Sequence, residues 1–146
     1  MAEIAVLYVF LHCDIEHSEQ IIYKMNKELT IEDIQEIVAK DESRYLELKQ
    51  TTGELYKAMT SACAFLNTDG GWVMFGITPK LKIVGQNVTD PTRQEIANAL
   101  RKFEPAIDVP VQYVEIPEKE GFYVIAMYFN PPAPTQAPYT FDARPY

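Results

Sequence analysis

The sequence predicts a mixed α/β fold, with about five or six strands in a mixed sheet and two or three packed helices. Capped helical segments alternate along the chain with short apolar strands, which is typical of a layered α/β architecture. The chain has 146 residues, 47% of them hydrophobic, and this composition is sufficient for a single core. We find no internal repeat and no heptad array, so the sequence predicts neither a solenoid nor a coiled coil.

Capping residues and apolar periodicity predict the first two helices. Thr30 and Asp33 have the spacing of a capping box in front of an apolar stripe. Thr51 and Glu54 have the same spacing at the start of the second helix, which is predicted over residues 54–67. Apolar side chains recur there every three or four positions, as expected for a helix that packs on a core.

A third helix is predicted over residues 92–103. Asp90-Pro91 opens it, because proline is favoured at the first helical position, where its missing N–H is not needed. Pro105 ends it, because a residue in front of a proline disfavours the helical conformation.

Alternating or continuous apolar patterns predict five strands. They are residues 45–49, 72–77, 82–86, 111–116 and 122–129. The second and third are expected to pair across the turn at 78–81, and the last two across 117–121. The last strand is apolar throughout, which favours a central position with both faces covered.

The net charge of −8 is unevenly distributed. The first 42 residues hold 10 acidic and 3 basic side chains, whereas the remainder holds 11 and 10. This balance argues against indiscriminate binding to nucleic acid and to anionic membranes. The apolar run at residues 4–11 is too short to span a bilayer. Cys13 and Cys63 lack CxxC spacing, so we expect reduced thiols and a cytoplasmic location.

We divide the chain into an extension, residues 1–24, and a domain, residues 25–146. Met25 opens a new, well-formed element, so the extension is either a native segment with a buried strand or a non-native start. Half of the ten prolines lie in the last 16 residues, and residues 141–146 have the pattern of a turn that enters a strand without completing it. We therefore expect an N-terminal fragment of a longer protein.

One polar cluster has the composition of a metal or phosphate site. Glu47 and Lys49 share one face of the first predicted strand, and Glu42 precedes that strand. Two carboxylates and a lysine on one face can bind a divalent metal and a phosphate. They can equally form a solvated ion pair, and the spacing does not decide between these interpretations.

A sharp polar corner joins the second helix to the next strand. Gly70 is suited to the left-handed conformation that follows a helix end, and Gly71 lets the backbone turn without a side chain. Asn67 and Asp69 can hydrogen-bond the freed backbone groups of the corner. A phosphate backbone could also approach closely at residues this small.

Four motifs in this order resemble the Schlafen-type AlbA domain, also called the AlbA-like DNA-binding domain. They are Glu42-Ser43…Glu47-Leu48-Lys49, Ala64-Phe65-Leu66-Asn67-Thr68-Asp69-Gly70-Gly71, Phe75-Gly76-Ile77 and Ile83-Val84-Gly85. The resemblance covers about residues 40–146, and the Asn-Thr-x-Gly-Gly corner in register with its neighbours is its most specific part. In bacteria such domains lie at the front of transcriptional regulators or RecG-related, helicase-like ATP-binding proteins.

The resemblance implies a nucleic-acid-binding module that binds weakly, with DNA a more favoured ligand than RNA. A homo-oligomer would be compatible with this role, and we expect no membrane partner. No cofactor is expected in this fragment, although the downstream region could bind ATP. The basic side chains predicted to contact nucleic acid are Arg44, Lys49, Lys80, Lys82 and Arg144.

The resemblance also raises a nuclease alternative. In the vertebrate Schlafen branch, two glutamates and an aspartate form a metal-dependent RNA-cleaving site. Glu42 and Glu47 match the two glutamates, with Lys49 beside them, but Thr78-Pro79-Lys80 stands where the aspartate would be. We therefore expect a binding module with no catalytic or metal site. The alternatives are an endoribonuclease that uses Glu42 and Glu47 to hold its metal, and a protein–protein or oligomerisation module.

Overall fold

Three helices and eight short strands form the part of the chain that this computed structural model describes, residues 27–40 and 45–146. The helices are α1 (Ile31–Ala39), α2 (Leu55–Leu66) and α3 (Asp90–Leu100). The strands are β1 (Leu46–Lys49), β2 (Gly71–Phe75), β3 (Gln86–Asn87), β4 (Phe103–Glu104), β5 (Val111–Glu115), β6 (Phe122–Phe129), β7 (Thr140–Phe141) and β8 (Arg144–Pro145). None of the described helices is long and apolar enough to cross a membrane. The predicted N-terminal extension, Glu42 and Arg44 lie outside the described residues.

Five strands form a mixed sheet, as the sequence predicts. β1 lies parallel to β2, with Leu46 opposite Trp72 and Lys49 opposite Phe75. β2 pairs antiparallel with β6, and β3 pairs with β6 beyond the end of β2. β5 pairs with the other edge of β6. Strand β6 therefore lies at the centre of the sheet.

Apolar side chains pack on both faces of this sheet. Ile125 and Met127 of β6 contact the core that also contains side chains of α2 and α3. Val124 and Ala126 lie in the core that contains side chains of α1. All four are fully buried, so the prediction of a central strand covered on both faces is confirmed.

Helix α1 begins with the predicted capping box. The backbone N–H of Asp33 donates to Thr30 Oγ1 at 3.2 Å, and the backbone N–H of Thr30 donates to Asp33 Oδ2 at 2.9 Å. The second bond is the largest influence that lowers the pKa of the Asp33 carboxyl, because it favours the charged form. These bonds satisfy donors that the first turn of a helix leaves without an internal partner.

Helix α2 begins differently from the prediction. A short 3₁₀ turn, Thr52–Glu54, precedes it, and Thr51 Oγ1 accepts from the backbone N–H of Gly53 at 3.2 Å. The Glu54 side chain does not complete a capping box and instead approaches two lysines. Gln86 supplies a further cap, since its Oε1 accepts from the backbone N–H of Thr52 at 2.8 Å.

Helix α3 begins at Asp90-Pro91 as predicted but ends earlier than predicted. Its last residue is Leu100, and Phe103 lies in strand β4, opposite Phe141 of β7. Phe103 is 2% exposed and packs against the Phe141 ring at 4.9 Å between centroids. Pairing with a distant strand therefore ends the helical pattern before Pro105.

The predicted strand at residues 82–86 is wrong. One bridge joins Ile77 to Ile83, and the regular strand begins only at Gln86 and pairs with β6. Gly76 and Gly85 have φ values of +100° and +68°, and the N–H of Gly85 donates to Gly76 O at 2.8 Å. These glycines bend the chain away from a continuous hairpin, because positive φ is incompatible with an extended strand.

The C-terminal segment completes a strand, contrary to prediction. β7 and β8 form a hairpin whose turn residues, Asp142 and Ala143, have φ values of +51° and +62°, as in the favoured two-residue hairpin turns. Together with β4 they make a second, three-stranded sheet. Phe141 is 1% exposed and belongs to the core that contains α2. The segment is therefore packed on the domain.

Candidate nucleic-acid interface

The polar side chains of β1 form an ion pair on the face that helix α2 covers. Leu46 and Leu48 point toward the core that contains α1, so Glu47 and Lys49 point the other way. Lys49 Nζ lies 2.8 Å from Glu47 Oε1, and each side chain is less than a third exposed. This hydrogen bond is the main reason that the pKa of Lys49 is raised, so the ammonium stays charged at neutral pH.

Lys49 has a second acidic neighbour that sequence analysis did not identify. Its Nζ lies 4.0 Å from Glu54 Oε1, and Lys57 lies 3.9 Å from the same oxygen. The spacing of Thr51 and Glu54 predicted that Glu54 caps the helix, so its ion pair with Lys49 was not predicted. Of the predicted cluster, the structure thus joins Glu47 to Lys49. The position of Glu42 lies outside the described residues.

The turn at residues 78–82 presents two exposed lysines. The backbone N–H of Thr78 donates to Lys82 O at 2.9 Å, and the N–H of Lys82 donates to Thr78 Oγ1 at 3.1 Å. Leu81 has a φ of +63° and is 41% exposed. Lys80 and Lys82 point outward from this closed turn, and neither forms an ion pair with another described residue.

A third lysine lies next to the same stretch of chain. Lys119 Nζ donates to Val84 O at 3.4 Å and lies 4.1 Å from the centre of the Phe122 ring. Lys119 comes from the turn between β5 and β6, so only the folded chain brings it beside the residues that follow the 78–82 turn. The sequence does not indicate this lysine, since both of its partners are brought to it by the tertiary structure.

Arg144 lies in a different part of the molecule. It is exposed on β8, opposite Phe141, in the second sheet. Phe141 packs against the Tyr56 ring of helix α2 at 5.2 Å, whereas Ile77 and Ile83 flank the 78–82 turn in the other core. No described contact joins Arg144 to the three lysines.

The two corner glycines pack against protein. Gly70 has a φ of +75°, as predicted, and a Cβ placed there would lie 2.8 Å from Phe129 O and from Pro131 Cδ. A Cβ on Gly71 would lie 2.8 Å from the Phe65 ring and from Tyr45 O. The Cβ directions of both residues are therefore occupied by protein, which explains why glycine is needed at each position. The approach of a phosphate at this corner stays a prediction.

Asn67 binds the C-terminal segment rather than the corner. Its Nδ2 donates to Tyr139 O at 3.0 Å and to Tyr146 O at 2.9 Å. Its Oδ1 accepts from the backbone N–H of Tyr139 at 2.8 Å. Asn67 thus holds the β7–β8 hairpin against the end of α2. The sequence predicted only that this side chain bonds backbone groups of the corner.

Within residues 27–40 and 45–146, no three histidine, cysteine, aspartate or glutamate side chains are grouped in a way that could hold a metal ion. Thr78 stands where the resemblance to the family would place a third carboxylate. Its hydroxyl accepts a hydrogen bond from the backbone N–H of Lys82. Cys63 is buried and forms no disulfide, and burial raises the pKa of its thiol.

A mixed sheet between two cores, with a glycine corner and an exposed lysine turn, defines an α/β domain. Comparison with known protein families matches residues 42–146 to the family described as Schlafen, AlbA_2. The match covers most of the chain, which therefore belongs to the Schlafen AlbA_2 family. A comparison with curated proteins gave no significant match. Family membership supports nucleic-acid binding in general terms.

Proposed function

We propose that this domain binds the phosphate backbone of nucleic acid through the 78–82 turn and Lys119. The exposed turn carries the proposal, because Lys80 and Lys82 form no ion pair with a described residue and are free to neutralise phosphates. Contacts of this kind position a protein on nucleic acid without reading its sequence. The family to which the chain belongs supports the same general role.

The proposed ligand is DNA in preference to RNA, bound weakly and without sequence preference. Few lysines are available, and non-specific binding of this kind has a Kd of about 10⁻⁴ to 10⁻⁶ M at physiological salt. Lys49 would contribute only by leaving Glu47, because that carboxylate already accepts its ammonium. Arg144 would contribute from the second sheet, and Arg44 is a further proposed contact.

We also propose that the domain is the front module of a bacterial transcriptional regulator or helicase-like ATP-binding protein. The resemblance of its motifs to such proteins supports this context, with ATP bound by a downstream region. A homo-oligomer is a compatible arrangement, and light scattering of the purified chain measures it directly.

The Lys80→Ala/Lys82→Ala double variant is expected to bind a fluorescent DNA duplex about tenfold more weakly than the parent chain at low salt. The slope of log affinity against log salt should also become shallower, by about 0.9 for each lost phosphate contact. Fluorescence anisotropy titrations at several salt concentrations measure both quantities.

A matched control removes two lysines elsewhere. Lys40 and Lys57 are exposed and paired with Glu36 and Glu54, so Lys40→Ala/Lys57→Ala changes the net charge equally. It should leave the salt slope close to that of the parent. Equal losses in both double variants would reject the 78–82 turn as the contact. If the parent chain does not bind at low salt but forms a stable dimer, the oligomerisation alternative would be favoured.

We expect the domain not to cleave RNA or DNA in a metal-dependent way. Activation of water needs a firmly held metal, and the Lys49 ammonium 2.8 Å from Glu47 competes for that carboxylate. The measurement is incubation of labelled tRNA and single-stranded DNA with magnesium, manganese or chelator. Metal-dependent cleavage that is lost in Glu47→Ala but kept in Glu115→Ala, an exposed glutamate on β5, would establish the endoribonuclease alternative.

A further inference from the structure

A shallow groove of about 300 Å³ lies where the start of α2, the end of α3 and the β7–β8 hairpin meet. Leu55, Ala99 and Phe141 give it apolar walls, and Tyr56 forms part of its rim. Glu95 and Lys102 add one charged group of each sign. The groove lies among elements that pack on the α2 side of the sheet, away from the core that flanks the 78–82 turn.

The Tyr56 ring is exposed and yet held in place. It is 46% exposed, which is unusual among the large apolar side chains of the described residues. One side of the ring contacts Phe141, with centroids 5.2 Å apart, and its hydroxyl donates to Asp142 Oδ2 at 3.3 Å. An exposed aromatic ring fixed in this way loses little conformational freedom when a planar ligand stacks on it.

The wall formed by Phe141 is rigid. Phe141 is 1% exposed and packs on Phe103 as well as on Tyr56. The hairpin that carries it is held at its two ends by Asn67, which bonds the backbone of Tyr139 and Tyr146. The groove is therefore present before any ligand binds.

One lysine of the groove is available to an anionic ligand that carries flat groups. Among the described ion pairs, none uses Lys102 or Arg144. Lys102 lines the groove, and Arg144 lies opposite Phe141 in the hairpin. Asp142, an acid beside the ring, accepts the Tyr56 hydroxyl. Lys102 is thus an available cation in a groove whose rim carries an exposed aromatic ring.

We propose that this groove binds an unstacked base of a single-stranded nucleic acid, with the base on Tyr56 and the adjoining phosphate at Lys102. This inference rests on the nucleic-acid-binding function proposed above and adds a preference for single strands. Bases within a duplex are stacked on each other and cannot reach a groove on a protein surface. Glu95 can accept a hydrogen bond from a base N–H, as carboxylates do in base recognition.

The test compares two fluorescein-labelled probes of equal length, a thymidine oligonucleotide of about 20 nucleotides and a duplex. Tyr56→Ala should weaken binding to the single strand about tenfold, since one stacked base accounts for a loss of this size. Binding to the duplex should not change. Tyr56→Phe keeps the ring and removes the hydroxyl that bonds Asp142, so it should bind the single strand nearly as well as the parent.

A second pair of variants avoids the packed tyrosine. Lys102→Gln removes an exposed charge from the groove and should weaken single-strand binding about threefold at low salt. Lys57→Gln removes a neighbouring exposed charge that does not line the groove and should have little effect. These comparisons keep the proposal testable even if Tyr56→Ala loosens the hairpin.

The outcomes separate the two proposals. If Tyr56→Ala and Lys102→Gln leave single-strand binding unchanged while Lys80→Ala/Lys82→Ala weakens both probes, the groove proposal fails and the lysine turn stands. A groove that holds a peptide would give that same result. Equal losses for duplex and single strand in the Tyr56 and Lys102 variants also reject the preference. A parent chain that binds neither probe at low salt overturns both proposals.

Discussion

Replacement of Gly70 by alanine is expected to destabilise the domain by about 3 kcal/mol or more. Gly70 has a φ of +75°, and an alanine in the left-handed region costs about 1–2 kcal/mol. The added Cβ would also lie 2.8 Å from Phe129 O and from Pro131 Cδ. Phe129 ends the central strand β6, so its backbone cannot move without disturbing the sheet, and overpacking of this kind costs about 1–3 kcal/mol.

Gly121→Ala provides a control that separates conformation from contact. Gly121 has a similar φ of +81°, but its added Cβ would meet nothing closer than Asn87 Oδ1 at 3.7 Å. We expect this variant to lose only the conformational part, about 1 kcal/mol. Urea denaturation of both variants gives the two free energies of unfolding. Similar losses would show that the close approach to Phe129 and Pro131 does not restrict position 70.

The sequence predicted those elements whose causes are local. The apolar side chains of helix α2 recur at helical spacing, and its members Met59, Ala62 and Cys63 are fully buried. The capping box of Thr30 and Asp33 joins residues three positions apart. In each case the pattern that predicts the element lies within that element, so the sequence alone is sufficient to predict it.

The predictions that differ from the structure involve partners far apart in the chain. Phe103 continues a helical apolar pattern, but it pairs with Phe141 and becomes a strand. Residues 82–86 contain the apolar pair Ile83-Val84 expected of a short strand, but the bend at Gly76 and Gly85 sends the chain to β6. Local propensity is a weak prior, and tertiary pairing overrides it in both places.

The candidate site also combines local features, which the sequence predicts, with contacts between distant residues, which it does not predict. The exposure of Lys80 and Lys82 follows from a short turn after an apolar strand, which the sequence contains. The proximity of Lys119 depends on Val84, 35 positions earlier in the chain. The ion pair between Lys49 and Glu54 was also not predicted, because the spacing of Glu54 from Thr51 fits a capping box that does not form. Spacing alone could not distinguish these uses of one glutamate.

Replacement of Asn67 by alanine is expected to lower the free energy of unfolding by about 2–3 kcal/mol. The variant loses three hydrogen bonds between helix α2 and the backbone of Tyr139 and Tyr146, which lie 72 and 79 positions later in the chain. The Tyr139 groups are partly buried, and an unsatisfied group of this kind costs about 1–3 kcal/mol. Chemical denaturation measures the loss.

The site of the destabilisation distinguishes the loss of the bonds to the hairpin from a general effect on helix α2. Hydrogen exchange at the Tyr139 amide should accelerate in Asn67→Ala, because that N–H loses its acceptor. Asn98→Ala is the control, since Asn98 is exposed and its side chain bonds only Arg101 of its own helix end among the described residues. It should change stability by no more than about 0.5 kcal/mol.

Asn67→Asp tests the donors separately from the acceptor. Aspartate keeps an oxygen for the Tyr139 N–H but cannot donate to the carbonyls of Tyr139 and Tyr146, and it sets a negative charge against both. We therefore expect it to be at least as destabilising as Asn67→Ala near neutral pH, with part of the loss recovered as the carboxyl is protonated in acid. An Asn67→Asp chain as stable as the parent, with a protected Tyr139 amide, would mean that the two donated bonds do not hold the hairpin.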